Sequence, residues 1–481
     1  MTTLLTQRPA SLAARLTASV CSAGKVSPGL DGYRSALRHD ADRMWTRTTV
    51  KPLAELRDWS RTAGRSAIAH RSGGFFAVIG ARMTMSGPGR TQTWDQPIIS
   101  QPEVGLLGII AHEFDGVLHF LMQNKAEPGN RNGIQLSPTV QATRSNFTRV
   151  HGGSAIPYLH HFLDPAAPAF RTLTDVRQSE HGSWFLRKRN RDVVIEVIDD
   201  IEVRDGFHWL TLGQIAELMQ VDDMVNMETR SVLSCLPWFR TAEPQAAGDP
   251  AGFRAALDRS CDSVWGSAHS DTEIASWITR ARSEHQVSVE RVPLHRLSGW
   301  TDGPDRVARN DGRYFEVVGV DVEAGGREVR TWDQPMVSAG DNGVVALVVR
   351  QFDGVLHVLL QLRAEGGSAD GPEIAPTVQC NPANYLADGP DGDRRPVLLD
   401  RVLSAPAGQI RYDTMLSDEG GRFFRISHRH LIVEADDIDA PPGFRWLTVH
   451  QIARLLQHSG YLNVQARSLM ACLQSLLAEA P

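Results

Sequence analysis

Long apolar runs are missing from this sequence of 481 residues. No stretch approaches the roughly 20 consecutive apolar residues that a bilayer-spanning helix needs, and the opening MTTLLTQRPASLAARLTASV has no uninterrupted signal core. Neither a membrane nor an export route is expected. Cysteine is scarce as well: Cys21, Cys235, Cys261, Cys380 and Cys472 are scattered without a Cys-x-x-Cys pair. This excludes a zinc knuckle or disulfide framework and suits a reducing, cytoplasmic setting. Positive charge is not in excess, since the net charge is -6, so nucleic acid is not an expected partner. The lysines are Lys25, Lys51, Lys125 and Lys188 among 50 Lys and Arg, which fits a GC-rich genome and draws attention to each of them. The short motifs of phosphate loops, dinucleotide folds, zinc proteases and serine hydrolases are absent. His160, His161 and His208 have no partners at ligand spacing, so no metal or other cofactor is expected.

The sequence does hold an internal duplication. TWDQP begins at Thr93 and Thr331, FDGVLH at Phe114 and Phe352, and PTVQ at Pro138 and Pro376, all at one constant offset. Pro52, Leu53 and Trp59 pair with Pro293, Leu294 and Trp300, and GFHWLTLGQIAELM from Gly206 pairs with GFRWLTVHQIARLL from Gly443. A unit this long is a domain, not a solenoid repeat. The Ala, Pro and Gly of TAEPQAAGDPAG from Thr241 mark a linker, so two like domains are expected over 1–243 and 244–481.

Within each unit the Phe-Asp-Gly step between two apolar runs predicts an antiparallel hairpin. Thr211 with Gln214, and Thr448 with Gln451, predict capping boxes on amphipathic helices. A further helix is expected over Asp222–Cys235, stopping at Pro237. Strands in the middle and helices at the end of each unit predict an α+β fold, a mixed or antiparallel sheet sandwiched by helices.

Regular alternation after the turn places His119, Gln123, Lys125 and Glu127 on one strand face, with His357, Gln361, Arg363 and Glu365 in the same register of the second unit. A polar row leaving a buried strand reads as a ligand cleft, or as a strand running out into solvent. His119 is either a reserve catalyst or a hydrogen-bonded core residue. In SWFLRKRNRD from Ser183, alternation presents Arg187, Arg189 and Arg191 together, as a diphosphate clamp or as a solvated basic face. Trp94 packs a sugar ring or fills the core.

At TWDQPIISQPEVGLLG, FDGVLHFLMQNKAEPGN, IQLSPTVQATRSNFTRVHGG and QSEHGSWFLRKRNR the sequence resembles the nucleotide-sugar 2,3-dehydratases of deoxysugar biosynthesis. The resemblance implies a homodimer of subunits with two tandem Nudix-like domains, each with a pocket for a dTDP-sugar and only one of them catalytic. It implies loss of the carbon-2 hydroxyl from dTDP-4-keto-6-deoxyglucose, with the product passed to a pathway ketoreductase for an antibiotic sugar. The richer set of ionisable groups puts the working site in the first unit. By chemistry Glu127 or Glu180 is base or acid, Lys125 the enolate partner or proton donor, and His119 the reserve. Trp94, Gln96, Gln123, Gln141, Arg144, Asn146, His151 and Tyr158 are candidate substrate contacts, with Arg187 and Arg189 on the diphosphate. Arg363, Glu365, Gln379, Asn384 and Tyr385 line the expected second pocket, read as vestigial. The Glu-rich helix with which a Nudix hydrolase holds magnesium is absent from both units. A catalytically silent nucleotide-sugar binding protein is the alternative function.

Overall fold

The computed structural model describes residues 11–22, 29–62, 64, 66–143, 156–163, 170–237, 252–326, 329–340, 343–385 and 395–478. The expected linker and the 243/244 boundary fall outside them, apart from Gly252. Among the described residues the chain forms two five-stranded antiparallel sheets and two seven-stranded mixed sheets. In each seven-stranded sheet one pair is parallel, Gly105–Phe114 beside Arg189–Val197 and Gly343–Phe352 beside Ser427–Glu434.

Local chemistry sets the elements. In the hairpins Phe114 faces Val117 and Phe352 faces Val355. Asp115 and Gly116 lie at φ 49 and 81, and Asp353 and Gly354 at 49 and 76, the left-handed pair whose twist matches that of the strands. Both capping boxes form, on helices Leu212–Leu218 and Val449–Leu456. The next helix is shorter than expected, Met227–Ser234, because Asn226 rather than Asp222 caps it through the Thr229 N–H. Its twin is Val464–Ser475, capped by Asn463. The repeat also extends upstream of its sequence match. Ser19 Oγ of helix Leu12–Val20 donates to the Leu118 carbonyl and accepts from Leu212 N–H, and Ser260 of helix Phe253–Ser260 makes the same bonds to Leu356 and Val449.

The repeats interlock. Strand Thr46–Lys51 of the first pairs with Phe315–Ala324 of the second, and Gln286–Val292 of the second pairs with Ala77–Gly87 of the first. The apolar cores are shared too: one cluster joins Leu118 and Phe120 to Leu356 and Val358, and another joins Trp59 and Ile99 to Trp300 and Phe423.

The TWDQP string is the latch of this exchange. Asp95 accepts from Arg82 at 2.9 and 3.0 Å and from the Ser298 N–H at 2.8 Å, and its carbonyl takes the Trp300 indole N–H at 2.6 Å. Asp333 accepts from the Arg57 N–H and Nε, each at 2.9 Å. Within its own repeat Gln96 donates to the Ser183 carbonyl, as Gln334 does to the Gly421 carbonyl, both at 2.7 Å.

Burial alone would raise the carboxyls of Asp95 and Asp333. Hydrogen bonds from Arg82 and Ser298, and from Arg57, outweigh it and hold both below the ordinary carboxylate value. A carboxyl depressed in the fold contributes its full stability above the unfolded value of about 3.9 and loses it as pH falls through the folded value. We therefore expect Asp333→Asn to destabilise the protein by roughly 1–3 kcal/mol at pH 7, with the difference from wild type shrinking toward pH 3 in urea titrations.

Candidate active site

Beyond the first hairpin, strand Val117–Ala126 delivers Lys125 and Glu127 to the wall of a cleft. Lys125 Nζ lies 3.0 Å from Glu127 Oε1. Gln141 Nε2 donates to Glu228 Oε1 at 2.9 Å and to Glu127 at 3.3 Å, while Asn226 Nδ2 holds the Gln141 carbonyl oxygen at 3.2 Å. On the facing wall Lys188 donates to the Glu103 carbonyl at 2.6 Å, and Asn190 donates to Glu180 Oε1. The second repeat closes the cleft with Glu419, Gly421 and Arg422.

Burial dominates the electrostatics. It pushes Glu180 above the usual carboxyl range, with help from Glu419. It pushes Glu228 well above that range, with help from Glu127, and raises Glu419 even though Arg422 pulls the other way. Burial also lowers the Lys188 ammonium. One oxygen of each acid, Glu180 Oε2, Glu228 Oε2 and Glu419 Oε2, is sealed from solvent and accepts no hydrogen bond. The cleft thus combines a paired carboxylate, carboxyls that favour their proton at neutral pH, and cations beside them. That is the equipment for moving a proton on and off carbon and oxygen.

A polar cluster in the second repeat, the counterpart of this cleft, repeats the geometry with different chemistry. Arg363 Nε lies 3.2 Å from Glu365 Oε1, Gln379 donates to Glu365 at 3.1 Å, and Asn463 holds Gln379 at 2.8 Å. Here Gln465 stands in place of Glu228 and Ile426 in place of Lys188, while His181 and Trp184 occupy the positions of Glu419 and Arg422. His181 is hydrogen-bonded to Gln465 at 2.7 Å and stacked on Trp184 at 5.3 Å.

A family model described as NDP-hexose 2,3-dehydratase matches residues 32–236 and again 271–473. This chain belongs to that family. It is 47% identical to the dTDP-4-dehydro-6-deoxy-alpha-D-glucopyranose 2,3-dehydratase of Amycolatopsis orientalis, over 89% of this chain and 86% of the relative. Proteins of the same name from Saccharopolyspora spinosa and Streptomyces violaceoruber are 46% and 43% identical, over 89% of this chain in both cases and over 87% and 94% of their own lengths.

Of the residues expected from sequence, Lys125, Glu127, Glu180 and Gln141 line the first cleft of this dehydratase family member, and Arg363, Glu365 and Gln379 meet in its counterpart. Others lie elsewhere. His119 sits at the opposite end of its strand from Lys125, 2.9 Å from the Val117 carbonyl and edge-on to Phe114. Trp94 orients Gln96 through a 2.8 Å hydrogen bond, and Gln96 donates to the Ser183 carbonyl of the same repeat, outside the cleft lining. Gln123 is half-buried and outside the cleft lining. The Tyr158 hydroxyl bridges the Glu202 carbonyl and the Arg204 N–H within an apolar cluster. Asn384 accepts from the Tyr314 N–H, and the Tyr385 carbonyl accepts from Arg395, beside a separate groove. Arg144, Asn146 and His151 lie outside the described residues.

The basic run is strand only from Arg189, with a turn, an isolated bridge at Phe185 and a bend over residues 183–187, and the arginines are not its buried residues. Lys188, Asn190 and Asp192 are buried, whereas Arg187 is exposed at φ 52, Arg189 pairs with Asp370 and Arg191 with Asp175. Sequence reasoning missed Lys188, Glu228, Glu419 and Arg422. The rarity of lysine was a signal for Lys188, and the Glu228 to Gln465 difference between repeats was one for Glu228.

A carboxyl raised by folding costs stability once pH climbs above its unfolded value. Gln465 shows that an amide fits the Glu228 position. We expect Glu228→Gln to keep the Gln141 hydrogen bond and to raise resistance to urea, with a larger gain at pH 9 than at pH 6.

Proposed function

We propose that this protein removes the carbon-2 hydroxyl of dTDP-4-keto-6-deoxy-D-glucose, yielding a dTDP-3,4-diketo-2,6-dideoxyhexose. The observation that carries the reading is the Lys125–Glu127 pair, 3.0 Å apart in a cleft whose other acids are held toward their neutral form. The carbon-4 ketone acidifies the hydrogen on carbon 3. Glu127 takes that proton, and the electron pair left behind delocalises onto the ketone oxygen as an enolate, which Lys125 steadies. The enolate expels the carbon-2 hydroxyl as water once a neutral carboxyl protonates it. Glu180 and Glu419 both meet that requirement. The resulting enol tautomerises to a ketone at carbon 3. Every step is a proton transfer or an elimination, so this route needs neither a hydride carrier nor a metal.

The same reading takes the two units as Nudix-like domains flanked by helices, with the first cleft working and the second vestigial. It makes the protein a cytoplasmic homodimer that hands its product to a ketoreductase during antibiotic sugar synthesis. Support comes from the family match over both repeats and from the replacement of Glu228, Glu419 and Lys188 by Gln465, His181 and Ile426 in the counterpart cluster.

Incubation with freshly prepared dTDP-4-keto-6-deoxyglucose, with chelator and without nicotinamide, tests the proposal by mass spectrometry, and a parallel reaction supplied with a ketoreductase and its nicotinamide cofactor traps the labile product in reduced form. The expected product is lighter by one water with its diphosphate intact. Free nucleotide would indicate hydrolysis instead, and binding without loss of mass would indicate a silent binding protein. We expect Glu127→Gln and Lys125→Ala each to lower kcat by about 100-fold or more, and Glu365→Gln to cost far less.

A further inference from the structure

We propose that Glu419, supplied by the second repeat, is the acid that protonates the departing carbon-2 hydroxyl opposite Glu127 as base, so that the working site is built jointly by both repeats. The inference rests on the dehydratase reading and adds a residue to it.

The two chain segments are locked together. Gly129 N–H donates to the Gly420 carbonyl at 2.7 Å, and Arg425 N–H donates to the Gly129 carbonyl at 2.9 Å. This brings the loop after Glu127 against the segment that carries Glu419. The point where a Cβ on Gly421 would stand is 2.5 Å from Glu419 Oε1 and 3.7 Å from Glu127 Oε1, so both carboxyl groups border one small space. Gly421 leaves that space open, and Ser183 stands at its position in the counterpart cluster.

Glu180 is held by Asn190, and Glu228 by Gln141. All three buried acids keep one oxygen without a hydrogen bond, and the Glu419 carboxyl also accepts from the Arg422 backbone; what distinguishes Glu419 is that it borders the space beside Glu127. Burial favours the protonated form of this carboxyl, with Glu127 adding to the effect, although Arg422 opposes it. In the counterpart cluster the matching His181 is tied to Gln465 and packed on Trp184, which leaves no acid facing Glu365 from that position.

The proton balance closes with these two groups. Glu127 takes the carbon-3 proton, and the C–H electron pair becomes the enolate. As the C2–O bond breaks, Glu419 gives its proton to the leaving hydroxyl, which departs as water. Glu127 then returns its proton to carbon 2 while the Glu419 carboxylate takes the proton of the carbon-3 enol hydroxyl. Both side chains end in their starting states.

The experiment uses the full chain in deuterated water, following water loss and deuterium uptake at carbon 3 of recovered substrate. Glu419→Gln should lower kcat for water loss by about 100-fold or more while still exchanging the carbon-3 hydrogen. Glu127→Gln should lose both reactions. Gly421→Ala keeps the acid but crowds it, and should lower kcat by about tenfold with exchange retained. It also serves as the second variant should Glu419→Gln fold poorly by its melting curve. Water loss near the wild-type rate in Glu419→Gln would overturn the assignment, as would joint loss of exchange and elimination in a folded Glu419 variant. Wild-type protein that yields no dehydrated product would instead sink the dehydratase reading itself.

Discussion

Two crossed arginines brace this molecule. Arg230 and Arg467 are buried to 0% and 1% exposure. Each donates to the serine hydroxyl of the facing helix, Arg230 to Ser468 at 2.7 Å and Arg467 to Ser231 at 2.9 Å. Each also reaches a carbonyl in the other repeat, Ser417 and Ser179 respectively. A guanidinium taken out of water without partners costs several kcal/mol, and here two of the three partners of each arginine belong to the opposite repeat. Neither half can bury its arginine alone. Ser179 immediately precedes Glu180, and Ser417 lies just before Asp418 and Glu419, so the brace also fixes the segments that carry the acids of the cleft.

Around that pseudo-symmetric brace the cleft and its counterpart have kept their scaffold and diverged in their chemistry. Glu127, Gln141 and Asn226 recur as Glu365, Gln379 and Asn463 with nearly the same hydrogen bonds. Asn226 and Asn463 hold Gln141 and Gln379, which in turn hold the Glu127 and Glu365 carboxyls, so the frame that orients this carboxyl is kept in both repeats. Glu228, Glu419, Lys188 and Arg422 have no chemical equivalent across the axis. What replaces them is bulkier or uncharged: His181 and Trp184 pack against Phe423 at 5.3 and 4.8 Å, as a core would.

The legible features were those governed by local rules. The Asp-Gly turns, the capping boxes and the repeat itself follow from backbone preferences within a few residues. Alternation held only from Arg189, where the strand begins, and it separates two faces without saying which is inward. The parallel pairing with Gly105–Phe114 decides that and draws Asn190 and Asp192 in, while Lys188, just before the strand, is held by the Glu103 carbonyl. The strand exchange is a matter of distant pairing, invisible to periodicity. For the same reason Glu419 looked like part of a separate domain.

The exchange also bears on how the chain is made. The edge of Ala77–Gly87 is covered by Gln286–Val292, which emerges from the ribosome long after it, and Thr46–Lys51 must wait for Phe315–Ala324. Until then an unpaired strand edge stands open to any other nascent chain. Synthesis of the first half therefore ends in an unfinished intermediate, and the second half arrives both as a copy of it and as its final template.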